Sequence, residues 1–156
     1  MSRLQSIFVN HNAEIAHRLS NLPGKCQNIH GHSLKIEMTL IGAVDQRGLL
    51  NGFDFGFVKR HFRGWIDDNW DHRLLLNSAD PWTEVWECAC GSTKERLPGL
   101  WVHSEPGDPT IENLCRWLGE AMTEFFNYLD KHGEYIPVLI RIQETETNGA
   151  SWMSEG

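Results

Sequence analysis

The chain has 156 residues, about the size of one domain and long enough to bury a core without disulfide staples. Apolar residues make up 40% and charged residues 22%, a balance that excludes intrinsic disorder and fibrous repeats. Fourteen basic against 21 acidic residues leave a net charge of −7, which argues against nucleic acid or an anionic membrane as the main partner. A small anion held by a local patch remains compatible.

Met1-Ser2-Arg3-Leu4-Gln5 lacks the charged-then-apolar run of a signal peptide, and no stretch nears the roughly 18 apolar residues of a membrane span. The expectation is a soluble, cytoplasmic protein. Four cysteines (Cys26, Cys88, Cys90, Cys115) do not suggest a disulfide framework at this size. Without repeats or linkers, residues 1–156 read as one domain.

In chain order, Ser6–Asn10 reads as a short strand leading towards His17. From His30 to Leu40 the even positions are His, His, Leu, Ile, Met and Leu, and the odd ones include Ser33, Lys35, Glu37 and Thr39. That period predicts a strand with one buried face carrying His30 and His32. Asp54 is placed to cap a helix to about Asn69, with Phe57, Val58, Phe62, Trp65 and Ile66 on one side. Residues 78–99 show no regular period and are expected to form a long loop or irregular hairpin, followed by a short strand near Leu100–His103. Pro109-Thr110 opens a second helix with the stripe Leu114, Trp117, Leu118, Ala121, Met122, Phe125 and Leu129. Lys131-His132-Gly133 closes it. The last strand is Pro137–Glu146, with Val138, Ile140 and Ile142 on one face. The order predicts an α+β fold with an antiparallel sheet.

Cys26-Gln27-Asn28-Ile29-His30-Gly31-His32 is the densest constellation. Two imidazoles at i and i+2 on a strand project together, and a catalytic zinc takes three protein ligands with one position open. His17 is the natural third ligand. A closed structural site of His17, His30, His32 and the Cys26 thiolate is the rival reading. Against it stands Asp71-His72, a pair able to relay a proton, although such a dipeptide also commonly ends a helix. A thiol near a metal and a histidine is a good base. Glu144 continues the buried face of the last strand, where a carboxylate costs free energy unless paired. It suits a ligand with two adjacent N–H donors; the alternative is a strand ending at Ile142 with Glu144 solvated. Cys88-Ala89-Cys90 supplies two metal-type ligands, and two do not make a site.

These residues resemble the 6-pyruvoyl-tetrahydropterin synthase and 6-carboxy-tetrahydropterin synthase family. The resemblance rests on Ala16-His17-Arg18-Leu19, then Gly24-Lys25-Cys26 followed after three residues by His30-Gly31-His32. It continues through Gly48-Leu49-Leu50 with Asp54-Phe55, Asp71-His72-Arg73 and Asn77, Pro109-Thr110 with Glu112-Asn113, and Glu144-Thr145. The short spacer after Cys26 is similar to the carboxy-tetrahydropterin branch. Three departures stand out: Asn10–Ile15 is less aromatic than the family's lead-in, Asn51-Gly52-Phe53 is less plainly apolar, and the 78–99 loop is longer.

The resemblance implies a tunnelling fold, an antiparallel sheet with two helices on one face. Trimers would close their sheets into a β-barrel and stack as hexamers, with active sites between subunits. It implies Zn2+ on His17, His30 and His32, with Cys26 as base and Asp71 and His72 as relay. Glu144 would anchor the pterin, and Thr110 with Glu112 would belong to the substrate-side motif. Lys25, Arg18 or Arg73 would meet the phosphates. The implied reaction converts 7,8-dihydroneopterin triphosphate to 6-carboxytetrahydropterin with release of acetaldehyde and triphosphate, supplying deazapurine (queuosine) precursors. A pyruvoyl-forming synthase and a non-catalytic zinc or pterin binder are the alternatives.

Overall fold

The computed structural model describes residues 4–90, 99–130 and 133–155. Its spine is a long antiparallel hairpin of β1 (Gln5–His17) and β2 (His30–Gly42), in register from Gln5 opposite Gly42 to His17 opposite His30. β1 is thus longer than the Ser6–Asn10 strand expected. Val9, Ala13, Ile15 and His17 point inward, but the polar His11 interrupts the apolar alternation that would have revealed the full strand. In β2 the expected parity holds: Leu34, Ile36, Met38 and Leu40 are buried, and His30 and His32 share their face.

β5 (Val138–Gln143) pairs antiparallel with β2, and β6 (Gly149–Met153) antiparallel with β5. On the other side β3 (Arg73–Leu76) pairs parallel with β1, and β4 (Leu100–Val102) parallel with β3. The six-stranded sheet therefore runs β4-β3-β1-β2-β5-β6 and is mixed, antiparallel over four strands and parallel at one end. Parallel pairing requires a crossover, and the chain supplies one after β2 and another after β3.

α1 (Phe55–Asn69) begins at Asp54, whose Oδ1 accepts the Phe57 N–H at 2.9 Å. α3 (Ile111–Leu129) begins at Thr110, whose hydroxyl accepts the Asn113 N–H at 3.2 Å. Both pack on the inner face, where Val58, Phe62 and Ile66 from α1 and Leu114, Leu118, Met122 and Phe126 from α3 meet the inward strand residues. Each such side chain contributes about 1.5–3 kcal/mol on burial. Residues 131 and 132, expected to close α3, lie outside the described residues.

Where a loop was expected, Pro81–Cys90 forms a helix, α2. Pro81 suits a first helical position, Asp80 accepts the Trp82 N–H at 2.9 Å, and Glu84 sits in the first turn. α2 lies across the sheet from the other helices: Trp86 packs against the cluster of Leu74, Leu76 and Leu100, whereas the intervening Leu75 faces α1 and α3. Residues 91–98 and the Cys90 side chain, and with it the Cys88–Cys90 pair, lie outside the described residues. β6 also lies beyond the expected elements; its Trp152 fills the space over Gly119 of α3. Among the described residues no helix is long and apolar enough to cross a membrane.

Candidate active site

The hairpin register places His17 directly opposite His30, with His32 two residues further along β2 on the same face. Gly31 between them lets the strands close: a Cβ there would lie 3.1 Å from the Ile15 carbonyl oxygen. The three ligand atoms of His17, His30 and His32 fall within 4.8 Å of one another, a group able to hold a metal ion.

Protonation fixes what these rings present. His17 Nδ1 lies 2.8 Å from the Pro109 carbonyl and His30 Nδ1 2.7 Å from the Asn28 carbonyl. A carbonyl only accepts, so each Nδ1 carries the proton and each Nε2 a lone pair in the neutral ring. Burial lowers the His17 pKa to about 4, with the neighbouring His30 and His32 adding to it against the opposing Pro109 bond. The two Nε2 atoms nevertheless face each other at 3.1 Å. His32 Nε2 is buried without a hydrogen-bond partner. Lone pairs aimed at one point are the donor set of a cation, and three nitrogens suit zinc.

A cleft of about 470 Å³ opens beside the cluster, lined by Cys26, His30, Thr110, Glu112, Glu144 and Asn148 among others. Cys26 sits exposed in a short 3-10 turn, Lys25–Gln27, entered through Gly24 at φ 99° and tied back by the Leu19 N–H to the Cys26 carbonyl at 2.8 Å. Glu144 follows the end of β5, its side chain only 20% exposed and its Oε1 3.4 Å from His32 Nε2. It is neither on the strand nor solvated: the hairpin after β5 turns it toward the imidazoles. Thr110 lines the cleft while its hydroxyl caps α3, and Glu112 follows in the first turn.

The family model described as 6-pyruvoyl tetrahydropterin synthase matches residues 6–155. The chain belongs to this family. It is 31% identical over 133 residues to a 6-carboxy-5,6,7,8-tetrahydropterin synthase of Rickettsia bellii, covering 85% of this chain and 88% of that one. It is 28% identical over 138 residues to the protein of that name from Haemophilus influenzae, covering 86% and 89%. In fold it is similar to a 6-pyruvoyl tetrahydropterin synthase of Plasmodium falciparum, with a TM-score of 0.72 at 15% identity over 99% of both chains. An uncharacterised protein of Wolinella succinogenes superposes with a TM-score of 0.76 at 19% identity over 99% of this chain and all of that one. The architecture is the tunnelling fold of this family.

Against this family pattern, Asp71 and His72 form a tight pair at 2.6 Å but stand at the start of β3 beside Glu14, and neither lines the cleft that holds Cys26. Of the three cations expected at the phosphates, Arg18 is 3.2 Å from the buried Asp80 carboxylate and Arg73 donates to the Asp68 carbonyl at 2.9 Å. Lys25 is exposed next to Cys26.

Sequence reasoning missed the supports. Asp108, buried, accepts from the Ser20 hydroxyl and the Asn21 N–H at 2.8 Å each and from the Asn77 amide at 3.1 Å. Asn113 donates to the Asp108 carbonyl at 2.8 Å. Together they hold the loop whose Pro109 carbonyl orients His17. The Pro-Thr-x-Glu-Asn motif signalled a functional segment, but not that its proline carbonyl serves a metal-type histidine.

Proposed function

We propose that the protein is a zinc-dependent 6-carboxytetrahydropterin synthase acting on 7,8-dihydroneopterin triphosphate. The observation that carries this reading is one cleft holding a thiol, a carboxylate and one imidazole of the three-histidine cluster. The carboxy branch is favoured by the relatives' names and by the three-residue spacer between Cys26 and His30.

His17, His30 and His32 would hold the zinc, which would supply Lewis acidity toward the side-chain oxygens of the pterin. Glu144 accepts the two N–H donors of the pyrimidine edge and so orients the ring. Cys26, as thiolate, removes a proton from the substrate side chain. His72 takes and returns that proton, with Asp71 fixing its tautomer. Since the pair lies outside the Cys26 cleft of its own chain, the relay is assigned to a neighbouring copy in a homotrimer or homohexamer. The open sheet edges β4 and β6 and the exposed Phe8, Leu22, Ile29 and Met153 offer surface for such assembly. Lys25, the cation beside the base, is assigned to the triphosphate. The product would enter deazapurine synthesis, such as that of queuosine.

The pyruvoyl-forming alternative would use the same ligands and the same base. Incubating the zinc-loaded protein with dihydroneopterin triphosphate and separating the pterins by chromatography distinguishes them. The proposal expects a pterin bearing a C6 carboxyl group. A pyruvoyl product would select the alternative, and no conversion would leave a binding protein.

A further inference from the structure

The Glu144 carboxylate stands against the imidazole cluster. Its Oε1 is 3.4 Å from His32 Nε2 and 3.8 Å from His17 Nε2, while His17 Nε2 and His30 Nε2 are 3.1 Å apart. Ligands on a tetrahedral ion with bonds of about 2.0–2.1 Å are separated by roughly 3.3 Å along each edge. These three of the six edges scatter about that length.

Hydrogen bonding does not explain the approach. His17 has committed its Nδ1 proton to the Pro109 carbonyl, so its Nε2 has nothing to donate to a carboxylate. His32 Nε2 is buried and makes no hydrogen bond to Glu144 or to any other described group. The backbone of Glu144 is fixed, with its N–H donating to the Asn148 carbonyl at 3.0 Å, so the side chain alone sets the approach. The Glu144 oxygen therefore stands beside two of the three nitrogens of the metal-type group without a hydrogen bond to either, where an ion held by the histidines could take it as a further ligand.

We infer that Glu144 is a fourth, exchangeable metal ligand, which closes the site while the cleft is empty and leaves the ion when a pterin enters. Its two oxygens then turn to the pyrimidine N–H donors. The first half stands on the geometry alone; the exchange rests on the pterin-synthase reading. The consequence is a metal whose open position exists only with substrate in place, so one carboxylate couples ring recognition to opening of the metal.

Cobalt(II) loaded in place of zinc tests this, because its visible absorption reports the donor set. Glu144→Gln preserves volume and should bind zinc at least 10–100-fold more weakly in chelator competition, the loss typical when a group supporting a metal site is removed. Its cobalt spectrum should differ from that of the unaltered protein before any pterin is added. Glu146→Gln, in the same hairpin, should change neither. Neopterin, which lacks the triphosphate, should shift the cobalt spectrum of the unaltered protein. Equal zinc affinity and an identical cobalt spectrum in Glu144→Gln, with circular dichroism showing a folded chain, overturn the inference. Neopterin that binds by calorimetry without moving the spectrum overturns the exchange. Neopterin that does not bind counts instead against the pterin reading, and the zinc-affinity comparison still decides the ligand.

Discussion

Asp71 and His72 both hang from Glu14. The Glu14 N–H donates to Asp71 Oδ1 at 2.8 Å, the Glu14 carbonyl accepts the His72 N–H at 2.7 Å, and Asp71 Oδ2 holds His72 Nδ1 at 2.6 Å. Burial pushes the Asp71 carboxyl up, but the Glu14 and His72 bonds outweigh it and hold the group below the ordinary carboxylate range. His72 adopts φ 58°, a left-handed conformation uncommon for a residue with a Cβ and consistent with the end of α1. The pair thus terminates a helix and presents an exposed, tautomer-fixed imidazole. His72→Ala should lower kcat by roughly 10²–10⁴-fold with KM little changed. Steady-state kinetics at unaltered rates would reduce the pair to a helix end.

If the relay comes from a neighbouring copy, Cys26→Ala and His72→Ala chains should each be inactive alone yet regain activity when co-assembled. Mixed oligomers contain sites with one intact thiol and one intact imidazole. Assaying co-expressed, differently tagged variants checks this, and no recovery in verified mixed oligomers would place both groups on one chain.

Metal content shows whether the Cys26 thiolate is a ligand. His17→Ala, His30→Ala and His32→Ala should each carry well below one zinc per chain. Cys26→Ala should retain zinc and lose turnover, because the exposed thiol sits in the cleft beside the cluster. Equal loss of zinc from Cys26→Ala and His30→Ala would favour a structural site completed by the thiolate.

Gly119 looks improvable by helix propensity alone, since alanine gains up to about 1 kcal/mol in a helix. A Cβ there would lie 2.0 Å from the Trp152 ring. Overpacking should win, and Gly119→Ala should destabilise by about 1–3 kcal/mol in urea unfolding. Unchanged stability would mean β6 yields easily.

Asp108 gives the pH dependence. Burial raises its carboxyl pKa, but hydrogen bonds from Asn21, Ser20 and Asn77 more than offset that and leave it below the ordinary value of 3.8. A depressed folded pKa contributes stability above the unfolded value that disappears as pH falls through the folded one. Melting temperature should therefore decline as pH drops below about 4, and Asp108→Asn should flatten part of that decline. The same variant should cost about 1–3 kcal/mol at neutral pH, because an amide turns a donor toward groups that need an acceptor. A melting profile parallel to the unaltered protein would assign the acid sensitivity to other carboxylates.

What was legible in the sequence follows from where each segment sits. β2 lies in the middle of the sheet with one apolar face, so period two showed both the strand and the shared side of His30 and His32. α1 and α3 carry side-chain caps and apolar stripes, and their starts were readable to the residue. β3 is four residues long with Leu74, Leu75 and Leu76 all buried, so it has no alternation to detect, and its parallel pairing is a tertiary outcome. α2 hides among Trp, Thr, Val and Cys, weak helix formers without a clean stripe. β6 is an edge strand of Gly149, Ala150 and Ser151 ahead of one tryptophan. For Glu144, parity carried the strand past its end at Gln143, and what brings the carboxylate to the histidine cluster is the hairpin that follows, which no period could show.

The most direct measurement is the ratio of acetaldehyde to triphosphate released when the zinc-loaded protein turns over dihydroneopterin triphosphate. The account predicts one acetaldehyde for each triphosphate, both abolished in Cys26→Ala. Triphosphate released without acetaldehyde would contradict it.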